Sequence, residues 1–306
     1  MVSGRWITSG ADPAGERCQG RAFARSVRRV AAALRGVAVS AAAGIACLAV
    51  PAGTASASEG AAKPCAKPLY LTFDTGHMAV APLVADVLAR HDVKVTFFAA
   101  NEATKEGDGS LGDHWAPWWR ARAAEGHAFA SHTFDHTYWR ADLPGTPASF
   151  TVKASAGPQQ GVSRTFSAAD YCEEIGRAAR RLEQVTGQAP LPLFRAPGGK
   201  TSPRLLEAAR QCGFAHVGWS PAGFLGDELP SETHSNAALL DKALRNLRAG
   251  DILVAHLGIW SRRDPWAPAV LEPLITGLKA RGFCFQTLRE HPQYKPWIAQ
   301  RTRQSR

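Results

Sequence analysis

From Leu69 to Leu288 the chain alternates short apolar runs with amphipathic stretches, and no linker interrupts the pattern. KPLYLTFD, KVTFFAA, HAFASH, PLPLFR, AHVGWS, DILVAHLG and FCFQTL read as strands. Between them lie helical patterns such as MAVAPLVADVLARHDV, where Val80, Leu83, Val84, Val87 and Leu88 form one apolar stripe. Ser167 is a candidate cap for SAADYCEEIGRAARRLEQVTG, Thr201 or Ser202 for PRLLEAARQ, and Gly126 closes WAPWWRARAAEG. Strands joined through helices must run parallel, because a parallel pair needs a long crossover. The pattern therefore predicts one α/β domain, a distorted (β/α) barrel, with an open doubly wound sheet as the alternative. In either fold, ligands bind beyond the carboxyl ends of the strands.

The segment ahead of this pattern has a different grammar. RAFARSVRRVAAALRG is basic, VAVSAAAGIACLAVPAG is apolar, and TASASEG supplies a small-residue cleavage pattern. That order predicts an export signal over 1–57, a linker over 58–68, the domain over 69–290 and a frayed basic tail over 291–306. The apolar run is short for a span of roughly 20 residues, so no stable membrane span is expected after cleavage. The chain is expected to be exported, to the periplasm or the medium. Seven of the 36 basic and two of the 26 acidic side chains precede residue 58, which leaves the remainder near +5. With no basic stripe interleaved with aromatics, nucleic-acid binding is not expected. Cys65, Cys172, Cys212 and Cys284 show no zinc-ligand spacing. Export permits disulfides; three full pairings, or buried free thiols, stay open. The polar stretches 101–114 and 140–166 read as long loops.

Polar residues gather at the strand ends. Asp74 ends the first strand, His132 and His136 follow the third, Arg195 ends PLPLF, Trp219 ends AHVG, and His256 ends ILVA. Two imidazoles four residues apart on a helical turn or tight loop suit a borderline ion such as zinc, cobalt, nickel or iron. Each residue taken singly has an ordinary explanation as a cap, a core histidine or a surface group; their joint placement is the signal.

TFDTG at 72–76, HTFDH at 132–136, RAPGG at 195–199, GW at 218–219 and LVAH at 253–256 occur in that order, with VTFFAA and EGH between them. In this the chain resembles the NodB-homology polysaccharide deacetylases, carbohydrate esterase family four, over nearly the whole of 69–288. The resemblance implies a hydrolase for carbon–nitrogen bonds other than peptide bonds, removing N-acetyl groups from an amino-sugar polymer. It implies Asp74 as general base, Arg195 as its orienting partner and His256, with a pKa near 7, as general acid. It also implies His132 and His136 as ligands of a divalent ion, with zinc foremost and cobalt, nickel or iron as alternatives. Two positions depart from the family pattern. Thr75 stands where a metal-binding carboxylate belongs, which leaves Asp74, Thr75, Asp135, His77 or water as the third ligand. Gly198 stands where an aromatic residue follows the proline; it keeps a backbone N–H for an oxyanion but no aromatic wall. Trp219, Trp260 and Trp139 are candidates to line the sugar site. The alternatives are a non-catalytic carbohydrate-binding protein with a degenerate site, and a hydrolase for another small amide.

Overall fold

The computed structural model describes residues 65–304. The expected signal and most of the linker lie outside the described residues. β1 (Pro68–Asp74) is the hub, and all its pairings are parallel. It pairs with β9 (Ile252–His256) over Tyr70–Asp74, with β2 (Thr96–Ala99) over Thr72–Asp74, and with β10 (Cys284–Phe285) at Pro68–Leu69. The sheet continues from β2 through β3 (Ala128–Ser131) and β7 (Leu193–Phe194) to β8 (Ala215–His216). Beyond β8 the chain returns to β9: Ser220 N–H donates to Ile252 O, and Phe224 bridges Val254 in parallel. An irregular segment thus completes the circle that a barrel needs. The fold is the distorted (β/α) barrel expected from the alternation.

Central strands of this kind are buried on both faces, so they read as unbroken apolar runs rather than alternating ones. The helices α1 (Ala81–Arg90), α2 (Ala116–Ala124), α3 (Ala168–Thr186), α4 (Pro203–Gln211), α5 (Asn236–Asn246) and α6 (Leu271–Ala280) cover the outside. α1 buries Val84, Val87 and Leu88, but Leu83 is 44% exposed and falls outside the stripe assigned to it. α3 starts with a reciprocal box, Ser167 Oγ accepting from Asp170 N–H and the Asp170 carboxylate accepting from Ser167 N–H. Ser202, not Thr201, caps α4.

Two expectations fail. The polar stretch after the histidine pair is not loop: β4 (Thr137–Leu143), β5 (Ser149–Ala154) and β6 (Ser163–Ser167) form a separate antiparallel sheet. Only β5 shows its period of two, burying Phe150, Val152 and Ala154; most of β6 faces solvent and carries almost no apolar signal. The basic tail does not fray either. It forms α7 (Lys295–Gln304), tied to the barrel by Trp297, whose indole N–H donates to Pro192 O at 2.9 Å. Arg210 and Arg301 flank that ring.

Of the open cysteine pairings, the chain adopts Cys65–Cys284 and Cys172–Cys212, with Cα atoms 5.8 and 6.1 Å apart. The first fastens the start of the domain to β10; the second fastens α3 to the end of α4. Bridges that close such loops typically stabilise a fold by about 2–4 kcal/mol each. No helix among the described residues is long and apolar enough to cross a membrane.

Candidate active site

The carboxyl ends of β1, β3, β7 and β9 open into one cavity of about 410 Å³. Asp74 and His256 are register partners on neighbouring strands, so base and acid candidates stand side by side by construction. Gly76 lets the chain leave β1 closely: a Cβ there would collide with the carbonyl oxygen of Gly258, to which His77 N–H donates.

Arg195 follows β7 and is fully buried behind Asp74. Its Nη1 donates to Asp74 Oδ1 at 2.6 Å. Nε and Nη2 donate to the carbonyls of Val217 and Gly218, both at 3.2 Å, and the guanidinium lies 4.2 Å from the Phe98 ring centre. Every edge of the fork is engaged, so Asp74 has one orientation. Burial alone would raise the Asp74 carboxyl, but the charges of Arg195, His132 and His256 outweigh it and hold the group below the usual carboxylate range.

His256 has a partner that the sequence pattern did not disclose. Asp227, buried in the segment after β8, accepts from His256 N–H at 2.6 Å and lies 3.1 Å from Nδ1. Burial pushes the imidazole down, but the Asp227 charge and hydrogen bond, helped by Asp74 and Glu228, push it up to about 9. That corrects the expected value near 7: the ring is an imidazolium throughout the neutral range.

The histidine pair sits on a loop rather than on a helix. Thr133 and His136 both occupy the left-handed region, at φ 60° and 48°. Non-glycine residues held there store about 1–3 kcal/mol each, and the surroundings must enforce them. Glu174 of α3 does so: its carboxylate accepts from Asp135 N–H and Thr137 Oγ1, and its carbonyl accepts from Phe134 N–H, all at 2.9 Å. His132 Nδ1 meets the Arg195 carbonyl at 2.9 Å, and an oxygen that can only accept fixes the proton on Nδ1. His136 Nδ1 meets Ser155 Oγ, which itself donates to the His136 carbonyl. The Nε2 atoms of the two rings face each other at 3.2 Å. Burial holds His136 neutral, with its pKa down to about 4.

Neutral imidazoles with the far nitrogen hydrogen-bonded are the usual form of ligating histidines. The pair thus fits a divalent ion, although among the described residues no three donors of the His, Cys, Asp and Glu class stand preassembled around one point.

The other candidate ligands separate clearly. Asp135 points away, toward Arg177 at 3.3 Å, and lines a different cavity. Its place between the histidines in sequence is undone by the positive-φ turn. His77 lines a neighbouring cavity, its Nδ1 accepting from Ala79 N–H and its ring packed on Trp260, 5.2 Å between centres. Thr75 Oγ1 accepts from Ala100 N–H at 3.0 Å and donates to Glu102 Oε2 at 2.6 Å, so its oxygen is already engaged.

Among the sugar-site candidates, Gly198, Trp219 and Trp260 line the cavity, and Trp260 is 63% exposed at its rim. Trp139 does not. Successive strand residues face opposite sides: on β4, Tyr138 faces the cavity, while Trp139 packs into the apolar cluster around Phe150 with its indole on Asp142. Tyr138 stands edge-on to His136, 5.0 Å between centres, and a Cβ on Gly198 would come within 2.9 Å of its Cε1. An aromatic ring carried by β4 thus occupies the space beside Gly198. Glu102, Asp227, Tyr138 and Glu174 were all missed in the sequence, since three lie on aperiodic segments or polar strands and Glu174 reads as one more polar helix residue.

A family model described as polysaccharide deacetylase matches residues 61–217. A chitooligosaccharide deacetylase of Sinorhizobium fredii is 30% identical over 230 residues, covering 72% of this chain and 89% of that protein. One from Azorhizobium caulinodans is 29% identical over 230 residues, covering 72% and 92%. Among solved structures, a family 4 acetyl xylan esterase from Clostridium thermocellum, in complex with a cobalt ion, superposes with a TM-score of 0.56 at 22% identity, covering 75% of this chain and 92% of that one.

Proposed function

The chain belongs to the polysaccharide deacetylase family and is a hydrolase of that class; we propose that it removes N-acetyl groups from an amino-sugar polymer by ion-assisted attack of water. The observation that carries this reading is the shared cavity. It holds the buried Asp74 carboxylate, His256 beside it on the neighbouring strand, and the Nε2 atoms of His132 and His136 facing one another at 3.2 Å.

An acetamide is a poor electrophile, and its nitrogen leaves only if protonated. Asp74, kept charged and aimed by Arg195, accepts the proton of the attacking water. His256 starts as the imidazolium and gives its proton to the departing amine; Asp227 holds the ring by Nδ1, so the proton given is the one on Nε2. His132 and His136 would hold the divalent ion, which, when bound, polarises the acetyl carbonyl and acidifies water. The Gly198 backbone, in the left-handed region at φ 61°, presents main chain to the cavity where the oxyanion would form. Trp219 and Tyr138 wall the acetyl pocket, and Trp260 at the rim offers a face for a further sugar ring. The same reading places the protein outside the cytoplasm, where its two disulfides would persist.

Acetate release from N-acetylglucosamine oligomers, with cobalt or zinc supplied, tests the reading. Wild type should release acetate, and Asp74→Asn should be slower by about 10²–10⁴-fold. Equal rates for the two proteins, or no release by either, would refute it.

A further inference from the structure

Imidazole ligands bring no negative charge to a divalent ion, and the residue just after β1 that would supply it is Thr75. The carboxylates around the cavity are few. Asp74 is paired with Arg195 through Oδ1, and its Oδ2 lies 3.6 Å from His132 Nε2, where it serves as the base. Asp135 faces Arg177 in another cavity. Asp227 is committed to His256, and Glu228 acts on that same ring. Glu102 is the other carboxylate beside the pair: it lines the cavity, no lysine or arginine pairs with it among the described residues, and its Oε1 lies 3.8 Å from the His136 ring nitrogen Nδ1.

The backbone around Glu102 is fixed as a ligand's should be. Glu102 N–H donates to Ser110 Oγ and Ser110 N–H returns to Glu102 O, both at 2.9 Å. The neighbouring Asn101 N–H donates at 2.7 Å to the carbonyl of Phe134, the residue midway between the two histidines. The loop bearing Glu102 and the loop bearing the histidines are thus stitched together. Thr75 completes the arrangement. Its hydroxyl has one hydrogen, and because its oxygen already accepts from Ala100 N–H, that hydrogen goes to Glu102 Oε2. One carboxylate oxygen is tethered and the other, Oε1, is left beside the His136 ring. Orientation of a ligating carboxylate by such a hydrogen bond is the usual support for a metal site. A carboxylate at position 75 would instead stand against Glu102 as a like charge.

We propose that Glu102, tethered by Thr75, is the carboxylate ligand of the ion held by His132 and His136: the charge has moved from the end of β1 to the segment after β2, and Thr75 has become its support. Glu102 Oε1 would be the third donor to that ion, presented by the hydrogen bond from Thr75 to Oε2. The proposal rests on reading the cavity as an ion-assisted hydrolase site.

Cobalt(II) affinity, measured by calorimetry on wild type, Glu102→Gln and the double variant Thr75→Asp with Glu102→Gln, tests it without recourse to turnover. Glutamine is isosteric and keeps the hydrogen bond from Thr75, so the fold is retained. The expected result is a loss of tenfold or more in Glu102→Gln, in the range that even supporting residues of metal sites produce (roughly 10–100-fold), with recovery in the double variant. A smaller loss, or a loss that Thr75→Asp does not recover, overturns the role of Glu102 alone. Wild type that binds no cobalt overturns the ion reading beneath it, and this proposal with it.

Discussion

The two halves of the cavity are built in opposite ways. The half on the strands, Asp74, Arg195 and His256 with Asp227, is closed: its charges are paired, its guanidinium is fully engaged and its geometry follows from strand register. The half on the loops, His132, His136 and Glu102, is open: two residues of the histidine loop sit at positive φ, two ring nitrogens face each other at 3.2 Å, and only one Glu102 oxygen is tethered among the described residues. The contrast teaches a division of labour. Groups that must already be charged and aimed before substrate arrives are fixed by the sheet, whereas groups that must close around an ion stand on braced but strained loops.

The sharpest way to break the closed half is to remove one charge of its buried pair. Arg195→Ala should destabilise the fold by about 3–5 kcal/mol, because it strands Asp74 as an unpaired buried carboxylate; urea unfolding followed by circular dichroism measures it. A loss below about 1 kcal/mol would mean that solvent reaches Asp74 and that the pair does not organise the site. The neighbouring Asp227 tests the acid by pH rather than by stability. His256 is the donor only while protonated, so activity should fall as pH rises through about 9. Asp227→Asn removes the charge that raises the ring, so the alkaline limb should move down toward or below the ordinary 6.5. The sign for stability agrees: the imidazolium stabilises the fold fully below 6.5, and that contribution is lost as pH rises through about 9. An unmoved limb would remove His256 from the acid's role.

The open half answers to a smaller lesion. Glu174→Ala leaves Asp135 N–H and Thr137 Oγ1 without their acceptor, at a cost of about 1–3 kcal/mol. Cobalt affinity should fall while the alkaline limb stays in place. If the limb shifts as well, the two halves act as one unit.

The same contrast explains what could be read from the sequence. Asp74, Arg195, His132 and His256 were legible because an apolar run that stops on a polar residue marks a strand end, and strand ends converge in this architecture. Glu102 and Asp227 were not, since each lies on a segment without period and gains its place from backbone hydrogen bonds at long range. Tyr138 and Trp139 show how little is needed to go astray: a strand read as loop carries no parity, and the ring that faces the cavity is the one beside the ring chosen. The barrel itself was legible, while its closure by the irregular segment around Phe224 was not. The tail helix escaped notice because, in KPWIAQRTRQ, Trp297 and Ile298 are the only large apolar anchors.

The finished acid–base half would act only with an ion held by the histidine half. The direct measurement is acetate release from an N-acetylglucosamine oligomer by chelator-stripped protein, before and during titration with cobalt(II). Folded, nearly inactive protein should regain activity with about one equivalent of cobalt, as two facing imidazole nitrogens on one loop imply. Full activity in the stripped protein, or no activity at any cobalt level, would contradict it.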